Sequence, residues 1–160
     1  MNNFDICIAP VLVNEGVDSN HPQDPGGVTR YGISKRAFPN LDIASLTLEQ
    51  AKALYRKFYW DANNMDEYPL AVAFELFDCA VNCGAGTAIR IMQRSLDIAD
   101  DGHVGPITMA AVKKMNANAL ANKMLAGRVV YYTKLSGWAT FGKGWINRLA
   151  NNLIWRANHV

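Results

Sequence analysis

Asn14-Glu-Gly-Val-Asp-Ser-Asn-His-Pro-Gln-Asp-Pro-Gly-Gly-Val-Thr-Arg-Tyr-Gly-Ile-Ser34 is the stretch that sets the reading of this chain. It carries the acids Glu15, Asp18 and Asp24, with four of the twelve glycines and two of the six prolines. Such a run is a shaped loop, because proline lacks a backbone donor and glycine admits angles that other residues avoid. The apolar, helix-compatible segment Ile6 to Val13 precedes it. The expectation is a first helix that delivers Glu15 at its C-terminal end and a loop that brings Asp24 and Thr29 back toward it. A carboxylic acid on one side and a carboxylate on the other is what glycoside hydrolysis requires. Composition alone also fits a plain solvated turn.

The chain has 160 residues and 17.7 kDa, enough for one compact domain. Half of its residues are hydrophobic and 19% are charged, which excludes a disordered chain. Four tryptophans, six tyrosines and six phenylalanines suffice for a core and for the lining of a sugar cleft. No apolar run reaches membrane-spanning length, so membrane insertion is not expected. The start, Met1 to Asp5, lacks a basic segment ahead of an apolar one, so no signal peptide is expected. Synthesis in a cytoplasm is the expectation, and a substrate beyond the cytoplasmic membrane would need some other route of access. Cys7, Cys79 and Cys83 show no metal-ligand spacing and read as small buried residues of a protein made in a reducing compartment. Neither a metal nor a cofactor is expected.

Charge is divided unevenly along the chain. Residues 1–101 hold eight basic residues and all fourteen acids, and residues 102–160 hold eight basic residues and no acid. A basic face opposite an acidic cleft suits an anionic polymer. The basic residues are dispersed and no nucleic-acid motif accompanies them, so nucleic acid is not the expected partner.

The pattern predicts helices throughout. The first covers residues 4–15, with Pro10 producing a kink or a late start. Residues 33–38 read as a helical turn. Thr47 and Gln50 form a capping box for a helix to about Phe58, with Leu48, Ala51, Leu54, Tyr55 and Phe58 as its apolar stripe. Tyr59-Trp60 supports the cleft. A central buried helix follows Pro69 and stops at Gly84, carrying Asp78 and Asn82 on one face. Those two either hold the signature loop or line the sugar cleft, and Glu75 is a reserve carboxylate. Further helices start at Thr87, Pro106 (Ile107, Ala110 and Ala111 inward), Asn118 and Trp145. Residues 136–144, with Trp138 and Phe141, read as a loop. Arg148 is placed to clamp a carboxylate of the core or of a substrate.

The Glu15-Gly16 pair, the run Asp24-Pro-Gly-Gly-Val-Thr-Arg-Tyr-Gly-Ile-Ser34, the pair Tyr59-Trp60, Phe77-Asp-Cys-Ala-Val-Asn-Cys-Gly84 and Phe141-Gly-Lys-Gly-Trp-Ile-Asn-Arg148 together resemble the glycoside hydrolase family 108 muramidases. These include phage endolysins and secretion-associated peptidoglycan hydrolases. Val17 stands where that pattern has a second glycine, Asp18 where an aromatic often follows, and Ser34 where threonine is usual. The segment Asp101-Gly-His-Val-Gly-Pro-Ile-Thr108 resembles the helix connector of peptidoglycan-binding modules.

The resemblance implies a mainly α, lysozyme-like fold: a helical bundle with at most a small sheet or an irregular loop near the active site. It implies a catalytic part over residues 1–92 and a peptidoglycan-binding-like helical part over 93–160, packed into one globule. The implied reaction is hydrolysis of the β-1,4 link between N-acetylmuramic acid and N-acetylglucosamine, with peptidoglycan as partner. Glu15 would be general acid, Asp24 the second carboxylate and Thr29 the holder of a water. Arg30, Tyr31, Tyr59, Asp78 and Asn82 are the candidate substrate contacts. The rivals are a lytic transglycosylase, another β-1,4-glycan hydrolase, and an inactive wall-binding protein. A monomer is expected, dependent on a holin or a secretion system for access to the wall.

Overall fold

The computed structural model of the chain describes residues 2–16 and 29–160, with the backbone alone of 18–19. Helix α1 (Asn3–Glu15) is capped by Asn2, whose side chain accepts the Asp5 N–H at 2.9 Å. Pro10 lies inside α1 without ending it. Phe4, Cys7, Ile8 and Val11 are the buried stripe, at the three- and four-residue spacing of one helix face. Three two-residue strands follow, β1 (Asp18–Ser19), β2 (Thr29–Arg30) and β3 (Ile33–Ser34), paired antiparallel in that order.

Residues 33–38 therefore do not start as a helical turn. Arg30 pairs with Ile33 across a two-residue loop, Tyr31-Gly32, in which both residues have positive φ (52° and 75°). Two positive φ values in a two-residue hairpin loop give the turn whose twist matches that of the flanking strands. That pairing outweighs the weak helical preference of Ile33 and Ser34.

Helix α2 (Leu48–Tyr55) opens with the predicted capping box, Thr47 and Gln50 each binding the other's backbone N–H. It then widens into a π-helical turn, Arg56–Trp60, in which the Asp61 N–H donates to the Arg56 carbonyl five residues back. The wider turn changes which side chains face inward. Trp60 is fully buried against Phe4 and Phe77, while Phe58 is 46% exposed and lies at the surface between Phe38 and the Lys57 ammonium. Leu48 is likewise exposed, so the apolar stripe expected from an unbroken α-helix holds only at Ala51 and Tyr55, with Leu54 at the core's edge.

Helix α3 (Leu70–Cys83) is the centre of the molecule, and every residue from Ala71 to Ala80 is buried. It packs on α4 (Ala85–Ser95), α6 (Ala117–Thr133) and α1. Thr87 lies within α4, whose cap position is Gly84. Helix α5 (Pro106–Lys114) buries Thr108 and Val112 and packs Ala111 on the core as expected, but leaves Ile107 and Ala110 in solvent, so the buried face is turned from the expected one. Asn116, not Asn118, caps α6 through the Ala119 N–H at 3.0 Å. Helix α7 (Trp138–His159) starts seven residues before its expected beginning and takes in most of the expected loop. Cys7, Cys79 and Cys83 are free thiols.

Part of the uneven charge lies inside the molecule. Three of the eight basic residues after residue 101, namely Arg128, Arg148 and Arg156, are buried. Arg128 donates to Asp78 Oδ2 at 2.8 Å, and Arg148 grips both Asp78 oxygens at 2.7 to 3.1 Å. Asn152 and Asn14 complete the shell at 2.6 and 3.3 Å. Arg156 reaches Glu75 Oε1 at 3.0 Å and the side-chain oxygen of Asn122, and Arg128 lies 3.7 Å from Glu75 Oε2. Acids of the first half of the chain thus face arginines of the second half across α3.

Burial pushes the Asp78 carboxyl up, but the Arg128 and Arg148 guanidinium groups and their hydrogen bonds outweigh it and hold the carboxyl down at about 2. Glu75 is the opposite case. Burial dominates over the pull of Arg128 and Arg156 and raises its carboxyl to about 8.

Removing one partner of a buried pair strands the others, so Asp78→Asn is expected to lower the unfolding free energy by about 3–5 kcal/mol, read from urea titrations. Glu75 binds its proton more tightly when folded, so its contribution is fully present below about 4.5 and is lost as the pH rises through about 8. The urea midpoint should therefore fall with rising pH across that window in the wild type, and less steeply in Glu75→Gln.

Candidate active site

Glu15 is the last residue of α1, where the helix presents its partial negative charge. That is a poor place for a carboxylate without a cation, and α1 has no basic residue in its last turn. The cation comes from α7. Arg148 donates from one terminal nitrogen to Glu15 Oε1 at 2.6 Å, while its remaining nitrogens stay on Asp78. The Glu15 side chain is 20% exposed, so its carboxyl is fixed through Oε1 on a side chain that is not sealed from solvent. A guanidinium gripped by a fully buried carboxylate has little freedom to swing, and it transmits that rigidity to Glu15.

The tip of the β2–β3 hairpin rests against the same residue. A methyl group built on Gly32 would meet the Tyr55 hydroxyl and the Glu15 Cβ, the latter at 2.8 Å. Tyr55 donates its hydroxyl to the Tyr31 carbonyl at 2.9 Å, which ties α2 to the hairpin. Burial, reinforced by the charge of Glu15, raises the phenol groups of both Tyr55 and Tyr59 above their ordinary range. Both tyrosines therefore act as neutral hydroxyl groups on the wall beside Glu15.

The structure gathers Glu15, Tyr59 and the Tyr31-Gly32 turn at one place, with Arg148 as the added member. Thr29 is half-buried on β2, with Ser19 and Ser34 as its backbone partners on either side. Arg30 donates to the Ala44 carbonyl at 2.6 Å and lies over the Tyr31 ring, so it braces the hairpin on the 42–46 segment. Asp24 lies outside the described residues, as do Val17 and the side chain of Asp18. Asp78 is not a sugar contact: it is fully buried, and its oxygens are taken by arginine and asparagine side chains. Its role is to hold Arg148. Asn82 is exposed and accepts the Tyr132 hydroxyl at 2.6 Å, and Tyr132 in turn accepts from Arg128 at 2.9 Å. Glu75, the reserve carboxylate, is buried on the Arg156 side and belongs to the core.

Tyr55 was legible only as a core residue, and the local signal for its second role was the Tyr-Gly turn it bonds. Among the described residues no group of acids, histidines and cysteines is arranged to hold a metal ion.

Gly32→Ala should lower stability by about 1–3 kcal/mol through its positive φ. It should also lower catalytic turnover about tenfold by displacing Glu15, checked by urea titration and rate measurement on the same preparation. Residues 8–84 match the family model described as Glycosyl hydrolase 108, and residues 87–150 match one described as Predicted Peptidoglycan domain. No curated protein matches the chain. Among solved structures, that of Brucella abortus SagA is 31% identical, with a TM-score of 0.85 over 96% of this chain and 94% of that one. The chain belongs to the glycosyl hydrolase 108 family.

Proposed function

We propose that this protein is an N-acetylmuramidase that hydrolyses the β-1,4 bond between N-acetylmuramic acid and N-acetylglucosamine in peptidoglycan, with Glu15 as its general acid. The observation that carries the reading is the partly exposed Glu15 side chain, held through Oε1 by an arginine that is itself locked on a buried aspartate. With Oε1 engaged, Oε2 is the oxygen assigned to deliver the proton to the leaving sugar. Membership of a glycosidase family, together with the match of the C-terminal region to a peptidoglycan domain, supports the substrate class.

Asp24 is assigned as the ionised partner that orients water or steadies the oxocarbenium-like state, and Thr29 as the hydroxyl that holds the water. Arg30, Tyr31 and Tyr59 supply the polar and aromatic wall along which the sugar lies. Catalysis by acids and water alone needs neither metal nor cofactor. Peptidoglycan lies outside the cytoplasmic membrane, so we place the action in the periplasm or wall. We assign its access there, as a monomer, to a holin or a secretion system.

Glu15→Gln should reduce clearance of purified sacculi by at least about 10²-fold without changing the unfolding midpoint by much. The wild type should release new reducing ends, and Asp24→Asn should suppress them. Anhydro-sugar products would instead mark a lytic transglycosylase. Undiminished clearance by Glu15→Gln would remove the assignment. In cells, wall damage should require that the cytoplasmic membrane first be opened or bypassed.

A further inference from the structure

The first two turns of α7 carry an aromatic shelf that the reaction described above does not use. Trp138, Phe141, Trp145, Arg148 and Asn152 follow one another at three- and four-residue steps, so they form one stripe along the helix. The lower end of the stripe is polar and buried, with Arg148 and Asn152 on Asp78 and Arg148 on Glu15. The upper end is aromatic and open. Phe141 is 59% exposed, and Trp138 and Trp145 are half-buried.

The shelf is built and not merely uncovered. Trp138 lies flat on Gly142, where a Cβ would meet its ring at 2.8 Å. Trp145 is stacked on Tyr132 with ring centres 5.2 Å apart, and Phe141 packs beside Trp145 at 6.0 Å. Tyr132 is itself held by Arg128 and Asn82. The rings are therefore fixed before anything binds. Trp145 stands one helical turn before Arg148, about 4.5 Å along the axis at ~1.5 Å per residue, and Phe141 stands one turn further out.

We infer that this shelf is a saccharide-binding subsite, on which a β-1,4-linked strand of N-acetylated amino sugars lies as it runs up to Glu15. The proposal rests on the muramidase reading and extends it to the part of the strand away from the bond that is cut. The C–H face of a pyranose ring is apolar and slightly positive, and it complements the negative face of an aromatic ring. Fixed rings leave little entropy to lose on binding. Exposed aromatic groups next to a polar site are the usual make-up of a ligand groove. The stripe is continuous with the residue that grips Glu15, so a strand on the shelf is delivered to the acid in register. It also gives the C-terminal half of the chain a direct share in substrate binding.

The test uses the full chain, with Glu15→Gln as the binding background and two probes: soluble N-acetylchitooligosaccharides, and sacculi purified free of protein. Phe141→Ala and Trp145→Ala should each weaken binding about three- to tenfold, and Trp145→Phe should retain most of the affinity. In the otherwise wild-type chain, the loss should appear in KM for sacculi and not in kcat. Saccharide should quench or shift tryptophan emission, and that signal should shrink in Trp145→Phe. Trp145 packs on Tyr132, so the exposed Phe141 carries the test should Trp145→Ala fold poorly. Unchanged affinity and KM in folded Phe141→Ala, with no saccharide-dependent change in the tryptophan emission of the chain that keeps Trp145, would overturn the subsite. So would a loss confined to kcat, or a change in self-association in place of saccharide binding. A chain that binds oligosaccharide on the shelf yet never clears sacculi would instead count against the muramidase reading alone.

Discussion

A carboxylate sealed in the middle of α3 must be answered by positive charge, and α3 contains no basic residue of its own. The cost of stripping water from Asp78 is several kcal/mol, and it is recovered only when arginines reach it with good geometry and the leftover oxygen lone pairs find donors. Arg128, Arg148, Asn152 and Asn14 do this from three other helices. Their arrival fixes how α1, α6 and α7 sit around α3. It also fixes the one arginine that extends beyond the core to Glu15. Stability and the geometry of the acid are thus two readings of the same interaction.

This coupling explains the unusual run of charge along the chain. A segment of 59 residues without a single acid resembles a surface for an anionic polymer. Three of its charges, Arg128, Arg148 and Arg156, instead point inward onto Glu15, Glu75 and Asp78 of the first half. Lys113, Lys114, Lys123, Lys134 and Lys143 remain on the outside, with Lys123 paired to Asp97, so a basic surface exists, but a weaker one than the count suggests.

How much could be read in advance depended on the range of the cause. The Thr47–Gln50 cap, the proline and glycine that bracket α3, and the delivery of Glu15 at a helix end are set by residues within a turn or two of one another, and all were legible. The β3 strand was not, because it exists only through pairing with β2. The inward set of α5 was off by a fraction of a turn, because its burial depends on where Gln93 and the 101–103 turn hold it. The start of α7 was obscured by two glycines, Gly142 and Gly144, that read as loop. In the folded chain Gly142 is needed where Trp138 lies against the backbone. For the candidate site, the placing of Glu15 at the end of α1 was legible, but the grip of Asp78 on Arg148 spans 70 positions and had no local trace beyond a misplaced-looking acid on an apolar helix.

The widened turn at Arg56–Trp60 has its own consequence. In a regular helix, Tyr55 and Trp60 would point to different sides; here both rings meet Phe77 edge-on. The turn acts as a register shift of one residue, matching a tyrosine pair beside the acid to an indole in the core. Any relative that lost this extra residue would have to choose between the two, keeping either the lining of its pocket or the plug beneath it. Insertions and deletions here should therefore be rarer than the surface position of Lys57 and Phe58 would suggest.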